Sequence, residues 1–517
     1  MPRQKSEDPI VPEGRRKPAP IGQRARGEKG VPVEQDVEQL GLPFATAVSP
    51  KGALTPRVMD LSIDGPATRV PKANGKVEPT PHATMEIVIE NLDEALEHVV
   101  RNKGAPGPDG QRIDDVREHW STIRARLVRR LRVNSYTPGP ARRKEIPKPG
   151  GGVRGLSIPN VEDRVVQEAM RMTLQPHFEP HFHPSSHGFR PKRSCHSAIV
   201  EASEYVEDDR RWVVDVDLSK FFDRVNHQRL LARVARRVGD RVLMRAISRV
   251  LRASTVMPDG QLVRAEEGVP QGGPLSPLLS NIVLDELDWE LDRRGHRFIR
   301  YADDVAVFVR SKRAGERVMD SMTRFIESRL RLAVNASKST VHPASTGNLL
   351  GFRLRRDPRS GEVKVHLSVR SRERLRERIR ELTPRNWGGR MRWCIARLDR
   401  YLDGWFAYFG IAAPTALRAL KQMDAHMRRR LRAIQLKQWK RKRTIARKLN
   451  RIKPSRNVAR HVYSGRRGWW VLSNLGVVTH RLDQHWFGRQ GLRTLVERRY
   501  ERGLAMAAPA QQSFGWG

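Results

Sequence analysis

The chain has only two cysteines in 517 residues, and this scarcity excludes several kinds of protein. Cys195 and Cys394 lie far apart, and neither has a second thiol nearby. A disulfide framework and a four-thiolate zinc site are therefore excluded, and a reducing compartment is expected. Apolar runs of membrane-spanning length are missing, and the N-terminus lacks the apolar region of a signal peptide. These absences predict a cytoplasmic protein with no membrane partner.

Acidic residues are also scarce relative to basic ones. The chain has 57 Asp and Glu against 98 Lys and Arg, which gives a formal net charge of +41. A charge this large exceeds what solubility requires and predicts a polyanionic partner. A hydrophobic content of 38% still supports a core, and the length allows roughly two to four domains.

The most informative stretch is Arg297–Arg310, RFIRYADDVAVFVR. Its two apolar halves predict strands, and the residues between them predict a hairpin bend at Ala302, Asp303 and Asp304. Adjacent carboxylates at such a bend repel each other and lose hydration, so a bound cation is the usual compensation.

A second acidic strand is predicted upstream at Trp212–Leu218. Asp215 and Asp217 alternate onto the same face of this strand, and their spacing alone leaves either as the metal ligand. If the two acidic strands are neighbours in a sheet, Asp217 and Asp303 face each other across a pair of divalent ions. That arrangement performs nucleotidyl transfer.

Two glycine-rich segments are candidates for binding phosphate. Glu145–Pro159 predicts strand, glycine turn and strand, with Lys148 and Arg154 on either side of the turn. Gly268–Asn281 is a loop that runs into a predicted helix at Leu275–Asp292, where free N–H groups suit a phosphate or a base edge. An ordinary hairpin and a sharp structural turn are the alternatives.

A histidine-rich stretch at residues 176–198 suggests a metal site at first sight. However, its prolines interrupt the helical spacing that such sites use, so metal ligation is not predicted. The basic residues within the stretch are expected to meet phosphate instead: Arg190, Lys192 and Arg193.

The chain changes character twice along its length. Residues 1–84 are rich in proline, glycine and charge and are predicted to be a disordered basic extension. From Leu367 the sequence becomes helical and strongly basic, and Lys421–Asn450 holds twelve Lys and Arg against one acidic residue. We expect that stretch to form a helix along a phosphate backbone.

Taken together, these segments resemble the reverse transcriptases encoded by bacterial group II introns. The specific motifs are IPKPGGGVRGLSIP, DLSKFFD, QGGPLSP and YADD, which occur in the family's order. The loop RNKGAPGPDG is similar to the N-terminal insertion of this family, and LDGWFAYFG to its thumb and maturase domain.

The resemblance implies an α+β fold in the form of a right-hand polymerase, with an antiparallel palm sheet and a helical thumb/maturase domain. The implied domains are fingers and palm at 85–362, thumb at 363–455, a nucleic-acid-binding region at 456–505 and a tail at 506–517. The chain has no cysteine after Cys394, so the paired cysteines of an HNH endonuclease are missing and second-strand cleavage is not expected.

The resemblance also assigns the metal site. Asp217 stands six positions before Asp223 and matches the family's first catalytic carboxylate. Asp217 and Asp303 would bridge two Mg²⁺ ions, with Asp304 a weaker ligand and the carbonyl of Leu218 a further one. The implied primer grip consists of Leu350, Gly351 and Phe352.

Further residues are implied to act on the nucleotide. Lys148 and Arg154 resemble the residues that clamp the triphosphate, and Phe222 resembles the aromatic gate that rejects a ribose 2′-hydroxyl. Gln271 matches a contact to the nascent base pair or the incoming nucleotide. Lys338 matches a lysine that protonates departing pyrophosphate. For Lys338 and Gln271 a purely structural role is the alternative.

The implied function is an RNA-directed DNA polymerase that binds its group II intron RNA and assists splicing. Its implied partners are that RNA, an RNA template with a DNA primer, dNTPs and target DNA. A homodimer is one candidate oligomeric state, which the sequence leaves open. Two alternatives remain: a domesticated enzyme in DNA repair or defence, and a splicing-only maturase.

Overall fold

The computed structural model describes residues 83–147, 152–464 and 468–507. The predicted N-terminal extension lies almost wholly outside these ranges, and so do Lys148 and most of the predicted tail. Within the ranges just given, no helix combines the length and apolar character needed to cross a membrane.

Helices and a small sheet form the first part of the described chain. The predicted strands on either side of the glycine turn are confirmed as an antiparallel hairpin, in which Arg142 pairs with Ile158 and Pro147 with Val153. Two short strands, Thr255–Val256 and Leu262–Val263, extend this sheet from the side of the first hairpin strand, Ala141–Pro147. The elements are α1 Met85–Glu90, α2 Leu92–Arg101, α3 Ile113–Glu118, α4 Trp120–Arg132, β1 Ala141–Pro147, β2 Val153–Ile158, α5 Val161–Phe178, β5 Thr255–Val256 and β6 Leu262–Val263.

The second sheet contains both predicted acidic strands. Thr340–Pro343 pairs with Trp212–Val216, which pairs with Asp304–Val309, and that strand pairs with Arg297–Tyr301. All three pairs are antiparallel. This sheet confirms that the two acidic strands are neighbours. Its strands are β3 Trp212–Val216, β7 Arg297–Tyr301, β8 Asp304–Val309 and β10 Thr340–Pro343, and the short pair β4 Leu218–Ser219 with β9 Ala333–Val334 continues beyond β3.

The two faces of this sheet pack into two hydrophobic cores. Val214, Val216, Val305 and Val307 belong to the core shared with the N-terminal helices. The alternate residues, which include Val213, Ala306 and Phe308, belong to the core shared with the C-terminal helices. Alternation of apolar residues along each strand therefore buries both faces. The helices between the strands are α6 Cys195–Glu207, α7 His227–Ala235, α8 Arg241–Leu251, α9 Ser276–Arg293 and α10 Lys312–Phe325.

The C-terminal part continues as helices, as predicted, but it begins with a two-stranded hairpin that was not predicted. The hairpin and the last helices share one hydrophobic core with the sheet, through residues such as Phe352, Leu402 and Phe487. The elements are β11 Phe352–Arg356, β12 Val363–Leu367, α11 Val369–Leu382, α12 Met391–Phe409, α13 Leu417–Trp439, α14 Lys442–Ile452, α15 Val458–Tyr463, α16 Trp469–Leu472, α17 Gly476–Thr479, α18 Gln484–Gly488 and α19 Leu495–Ala507.

Two sequence predictions about helices are wrong in detail. The sequence of residues 225–251 predicts a helix, but the structure has two helices there, because Asp240 caps α8 by accepting hydrogen bonds from the N–H groups of Val242 and Leu243. The basic stretch at 421–450 is also divided, between α13 and α14. Arg430 and Arg432 in α13 are buried and donate hydrogen bonds to protein oxygens, so these two arginines do not face a phosphate backbone.

Candidate active site

The register of the central sheet brings Asp217 level with Asp304. Val216 at the end of β3 pairs with Val305 of β8. Because the two strands are antiparallel, Asp217, which follows Val216, stands level with Asp304, which precedes Val305. Tyr301 pairs with Asp304 across the β7–β8 hairpin, so Ala302 and Asp303 form its two-residue turn. Ala302 has φ +58°, the positive value that tight hairpin turns of the primed types use. The predicted bend is therefore confirmed.

The backbone of Asp217 is fixed by the segment that follows β9. The N–H of Asn335 donates to the carbonyl of Asp217 at 2.8 Å, and the N–H of Asp217 donates to Ser339 Oγ at 3.1 Å. Lys338 is exposed in the same turn, where its N–H donates to the carbonyl of Asn335. Leu218 pairs with Val334. The turn that holds Asp217 thus also carries Lys338.

The carboxylates at this end of the sheet interact electrostatically. Burial is the largest cause that raises the pKa of Asp303, and the charge of Asp217 raises it further. The pKa of Asp304 is raised to about 7, first by desolvation and then by Asp303, Asp215 and Asp217. Although Asp304 has solvent-accessible surface, protein surrounds it closely enough to desolvate the carboxylate. Asp215 is a fourth carboxylate in range, and burial raises its pKa to about 6.

This donor set suits a hard divalent cation, which prefers carboxylate oxygens and relieves their mutual repulsion. Among the residues that the structure describes, no three His, Cys, Asp or Glu side chains stand close enough together to hold a metal ion. The support for a metal site is therefore the type of ligand and the effect of these carboxylates on one another's pKa.

The histidine-rich stretch supports this end of the sheet. The N–H of Arg300 donates to the carbonyl of Ser185, and the N–H of His187 donates to the carbonyl of Arg300, both at 2.8 Å. The expectation that Arg190 meets phosphate is wrong, because its buried guanidinium binds Glu179 and the carbonyl of Ser186.

Arg154 of β2 is a predicted clamp residue whose positive charge acts on the carboxylates. Its side chain is exposed, and its positive charge lowers the pKa of both Asp303 and Asp304 against the larger effect of burial. An exposed cation beside converging carboxylates is suited to an anionic ligand that approaches both. The other predicted clamp residue, Lys148, lies outside the described residues.

The loop at residues 268–273 connects β2 to the segment after β4. The N–H of Val269 donates to the carbonyl of Phe222, and the N–H of Ser157 donates to the carbonyl of Gln271, both at 2.6 Å. Gly272 has φ +122°, and a Cβ there would lie 2.6 Å from the carbonyl oxygen of Ser157. The glycine therefore allows the close approach that places Gln271 between Phe222 and the β1–β2 hairpin.

Comparison with known proteins identifies the family. The sequence profile described as "Reverse transcriptase (RNA-dependent DNA polymerase)" matches residues 146–354, and that described as "Group II intron, maturase-specific domain" matches residues 372–452. Protein YkfC of Escherichia coli (strain K12) is 34% identical over 348 residues, which cover 58% of this chain and 89% of that protein. The chain belongs to the group II intron reverse transcriptases.

This reverse transcriptase is by family an RNA-directed DNA polymerase. The group II intron-encoded protein LtrA of Lactococcus lactis is 28% identical over 342 residues, which cover 52% of this chain and 56% of LtrA. The alignment thus spans little more than half of that relative. Reverse transcriptase domains use divalent metal ions, and the maturase-specific domain implies binding to intron RNA.

The predicted primer grip of the reverse transcriptase is divided between surface and core. Leu350 and Gly351 have φ +49° and +89° and are partly exposed. Tyr408 Oη donates to the carbonyl of Leu350 at 3.1 Å and Ser371 Oγ to that of Gly351 at 2.8 Å. Phe352 is fully buried and packs beneath the turn, and the assignment of these three residues to a primer grip stays a prediction.

Sequence reasoning missed Arg300 of the reverse transcriptase, which directly precedes Tyr301 and is fully buried beside Asp288. A signal for it was present, because Arg300 lies between Ile299 and Tyr301 in a strand whose other charged residue, Arg297, stands at its exposed start. A charge in a buried strand calls for an internal partner.

The structure generates a prediction about which strand aspartate is the ligand. We expect Asp217→Asn to reduce primer extension on an RNA template to background, because this change removes a charged metal ligand. Asp215→Asn should retain activity within about tenfold, as expected of a residue outside the ligand set. Thermal unfolding of both variants provides the control for folding. The opposite order of activities would transfer the ligand role to Asp215.

Proposed function

We propose that this protein copies its group II intron RNA into DNA by two-metal-ion nucleotidyl transfer and assists the splicing of the same RNA. The observation that carries the proposal is the meeting of Asp217 with the Asp303–Asp304 turn at one end of an antiparallel sheet. The intact acidic set argues against a splicing-only maturase. A role in repair or defence would use the same chemistry on another RNA.

In this mechanism Asp217 and Asp303 would hold two Mg²⁺ ions, with help from Asp304 and the carbonyl of Leu218. The ions, when bound, lower the pKa of the primer 3′-hydroxyl and neutralise charge on the triphosphate. Mutual repulsion of the carboxylates supports this assignment, since a bound cation relieves the cost that raises the pKa of Asp303 and Asp304.

The remaining residues orient the nucleotide. Arg154, together with Lys148, binds the triphosphate and keeps the α-phosphate in line with the primer 3′-hydroxyl. Gln271 contacts the nascent base pair, and Lys338 gives a proton to the leaving pyrophosphate. Phe222 excludes the ribose 2′-hydroxyl. Its backbone is fixed by Val269, which supports a rigid gate.

A basic surface on the β11–β12 hairpin supports the nucleic-acid partner. Arg353 and Arg355 alternate onto the face opposite Phe352 and Leu354, which are buried. They pair across the strands with His366 and Lys364, and Arg372 of α11 lies close enough for its charge to lower the pKa of Arg353, after the larger effect of burial. We call these five residues the basic hairpin face.

The basic hairpin face has few acidic partners of its own. Lys364 pairs with Asp357, but neither Arg353 nor Arg372 has a salt bridge among the described residues, and the Nε atoms of both are buried without a hydrogen-bond partner there. Burial and the neighbouring cations lower the pKa of His366. Like charges opposite each other destabilise a hairpin, so a phosphate backbone is the partner that fits this face.

The proposal includes dNTPs, an RNA template with a DNA primer, intron RNA and target DNA as ligands, and leaves a homodimer open. We place the protein in the cytoplasm, which the free and buried state of both cysteines supports.

The decisive experiment incubates purified protein with an annealed RNA template and DNA primer, Mg²⁺ and dNTPs. We expect template-directed extension by the wild type, which Asp217→Asn abolishes. Absence of extension by folded wild-type protein would refute the proposal.

Phe222→Ala provides a prediction about the sugar gate. The smaller side chain should admit a 2′-hydroxyl, so the ratio of ribonucleotide to deoxyribonucleotide incorporation should rise by at least about tenfold. The measurement is kcat/KM for dCTP and rCTP on one template. Phe221→Leu is the matched control, because Phe221 is buried and packs against the Phe222 ring. An unchanged ratio in Phe222→Ala would remove Phe222 from the gate.

The double variant Arg353→Gln/Arg355→Gln tests the basic hairpin face. Loss of two phosphate contacts should reduce the slope of log affinity against log salt by about 2 for an RNA–DNA duplex. Thermal stability should stay the same or rise, because like-charge repulsion is removed.

Arg132→Gln/Arg293→Gln is the matched control for this experiment. Both arginines are exposed but already pair with Glu86 and Glu290, so their loss should leave the salt slope unchanged. Equal effects of the two double variants would contradict a specific role of the hairpin.

A further inference from the structure

Arg300 is a charged side chain with no exposure to solvent. It is among the largest fully buried side chains of the described chain, and its partner Asp288 in α9 is equally buried. Burial of a guanidinium and a carboxylate costs several kcal/mol for each ion unless the pair is close and fully hydrogen-bonded. The site must therefore satisfy every donor of Arg300.

All five N–H groups of Arg300 have acceptors. Nε donates to Asp288 Oδ1 at 2.8 Å, and Nη2 donates to Asp288 Oδ2 at 2.6 Å and to Ser186 Oγ at 2.7 Å. Nη1 donates to Asn281 Oδ1 at 2.8 Å and to the carbonyl of Ala302 at 3.0 Å. The planar fork of arginine matches this set, and a lysine ammonium could not.

Two of these contacts lead to the turn formed by Ala302 and Asp303, which we call the catalytic turn. Ala302, which accepts from Nη1, is the turn residue with φ +58°, next to Asp303. Asn281, the other Nη1 acceptor, donates through Nδ2 to the carbonyl of Gly188 at 2.9 Å. Gly188 in turn lies against the turn, since a Cβ added there would be 2.1 Å from the Ala302 nitrogen. The turn is thus held on two sides by groups that meet at Arg300.

Backbone strain explains why such support is needed. A non-glycine residue with positive φ is strained and persists only where the surroundings over-determine it. Asp303 follows this residue, and repulsion from Asp217 and Asp304 acts on its carboxylate. Without an anchor the turn would relax and carry Asp303 away from the position at which it shares a cation with Asp217.

We propose that the Asp288–Arg300 ion pair positions Asp303 for metal binding by fixing the Ala302–Asp303 turn to Asn281 of α9 and, through Asn281, to Gly188. Arg300 is a positioning residue, because it is fully buried and all its N–H groups are used within the protein. The proposal rests on the assignment of Asp303 as a metal ligand under the proposed function.

The test replaces the ion pair by apolar residues of similar size, Asp288→Leu/Arg300→Met. Such replacements often leave stability unchanged or raise it, so they separate positioning from folding. We expect thermal unfolding to stay near that of the wild type. Primer extension kcat should fall about a hundredfold with little change in KM for dNTP. The dissociation constant for Mn²⁺, measured by electron paramagnetic resonance without nucleic acid, should rise about tenfold.

Arg498→Met is the matched control for a buried arginine elsewhere. Arg498 is also buried and binds Asp399 and Asp403, but these contacts join α12 to α19 and not to the catalytic turn. Its loss should lower the unfolding temperature without changing the Mn²⁺ dissociation constant. A folded Asp288→Leu/Arg300→Met protein with wild-type kcat and Mn²⁺ affinity would overturn the proposal.

A second pair of variants covers the case in which the apolar replacement does not fold. Asn281→Ala removes an acceptor of Arg300 that also ties Gly188 to the turn, whereas Ser186→Ala removes an acceptor whose side chain makes no such link. Asn281→Ala should weaken Mn²⁺ binding severalfold more than Ser186→Ala. Equal effects would overturn the proposal. Failure of the wild type to extend a primer would instead refute the proposed function.

Discussion

The pairing of Val216 with Val305 is the constraint on which the active site depends. Because side chains alternate along a strand, a slip of one residue would transfer the apolar residues of β3 from one core to the other and turn Asp217 to the opposite face. Burial on both faces makes such a slip costly. The hydrophobic cores thereby determine where the acidic side chains stand, although no acidic side chain contributes to them.

The same arrangement makes the end of the sheet an unfavourable place for the protein on its own. Three carboxylates converge where burial already raises the pKa of two of them, and the turn between the strands has a residue with positive φ. Arg300 supports the turn from inside the protein through its hydrogen bond to Ala302. A bound cation would relieve the repulsion between the carboxylates. A site that is strained without its ligand and relieved by it is a recurrent property of functional sites.

The sequence predicted those features that depend on local pattern and motif. The alternation of apolar residues located β3, β7 and β8. The choice of Asp217 over Asp215, which spacing leaves open, rests on the motif resemblance and stays a prediction. Features that depend on the path of the chain were not predictable in this way. Arg190 belongs to a basic run that suggests a phosphate site, yet its partner Glu179 brings it inside. Phe352 follows two partly exposed turn residues, yet it is the first residue of a strand and points into the core. Arg300 and Asp288 stand in different elements, and only the packing of α9 against β7 joins them.

The excess of positive charge divides into two populations with different roles. Arg430 donates to the carbonyl of Thr383, which caps the C-terminus of α11, and Arg432 donates to the carbonyl of Ser473. These buried arginines satisfy backbone groups that would otherwise lack partners. Their N–H groups find acceptors inside the protein, whereas Arg353 and Arg372 of the basic hairpin face have no salt bridge among the described residues. Net charge therefore identifies the class of partner, but only the local supply of acceptors distinguishes an arginine that binds nucleic acid from one that holds the fold.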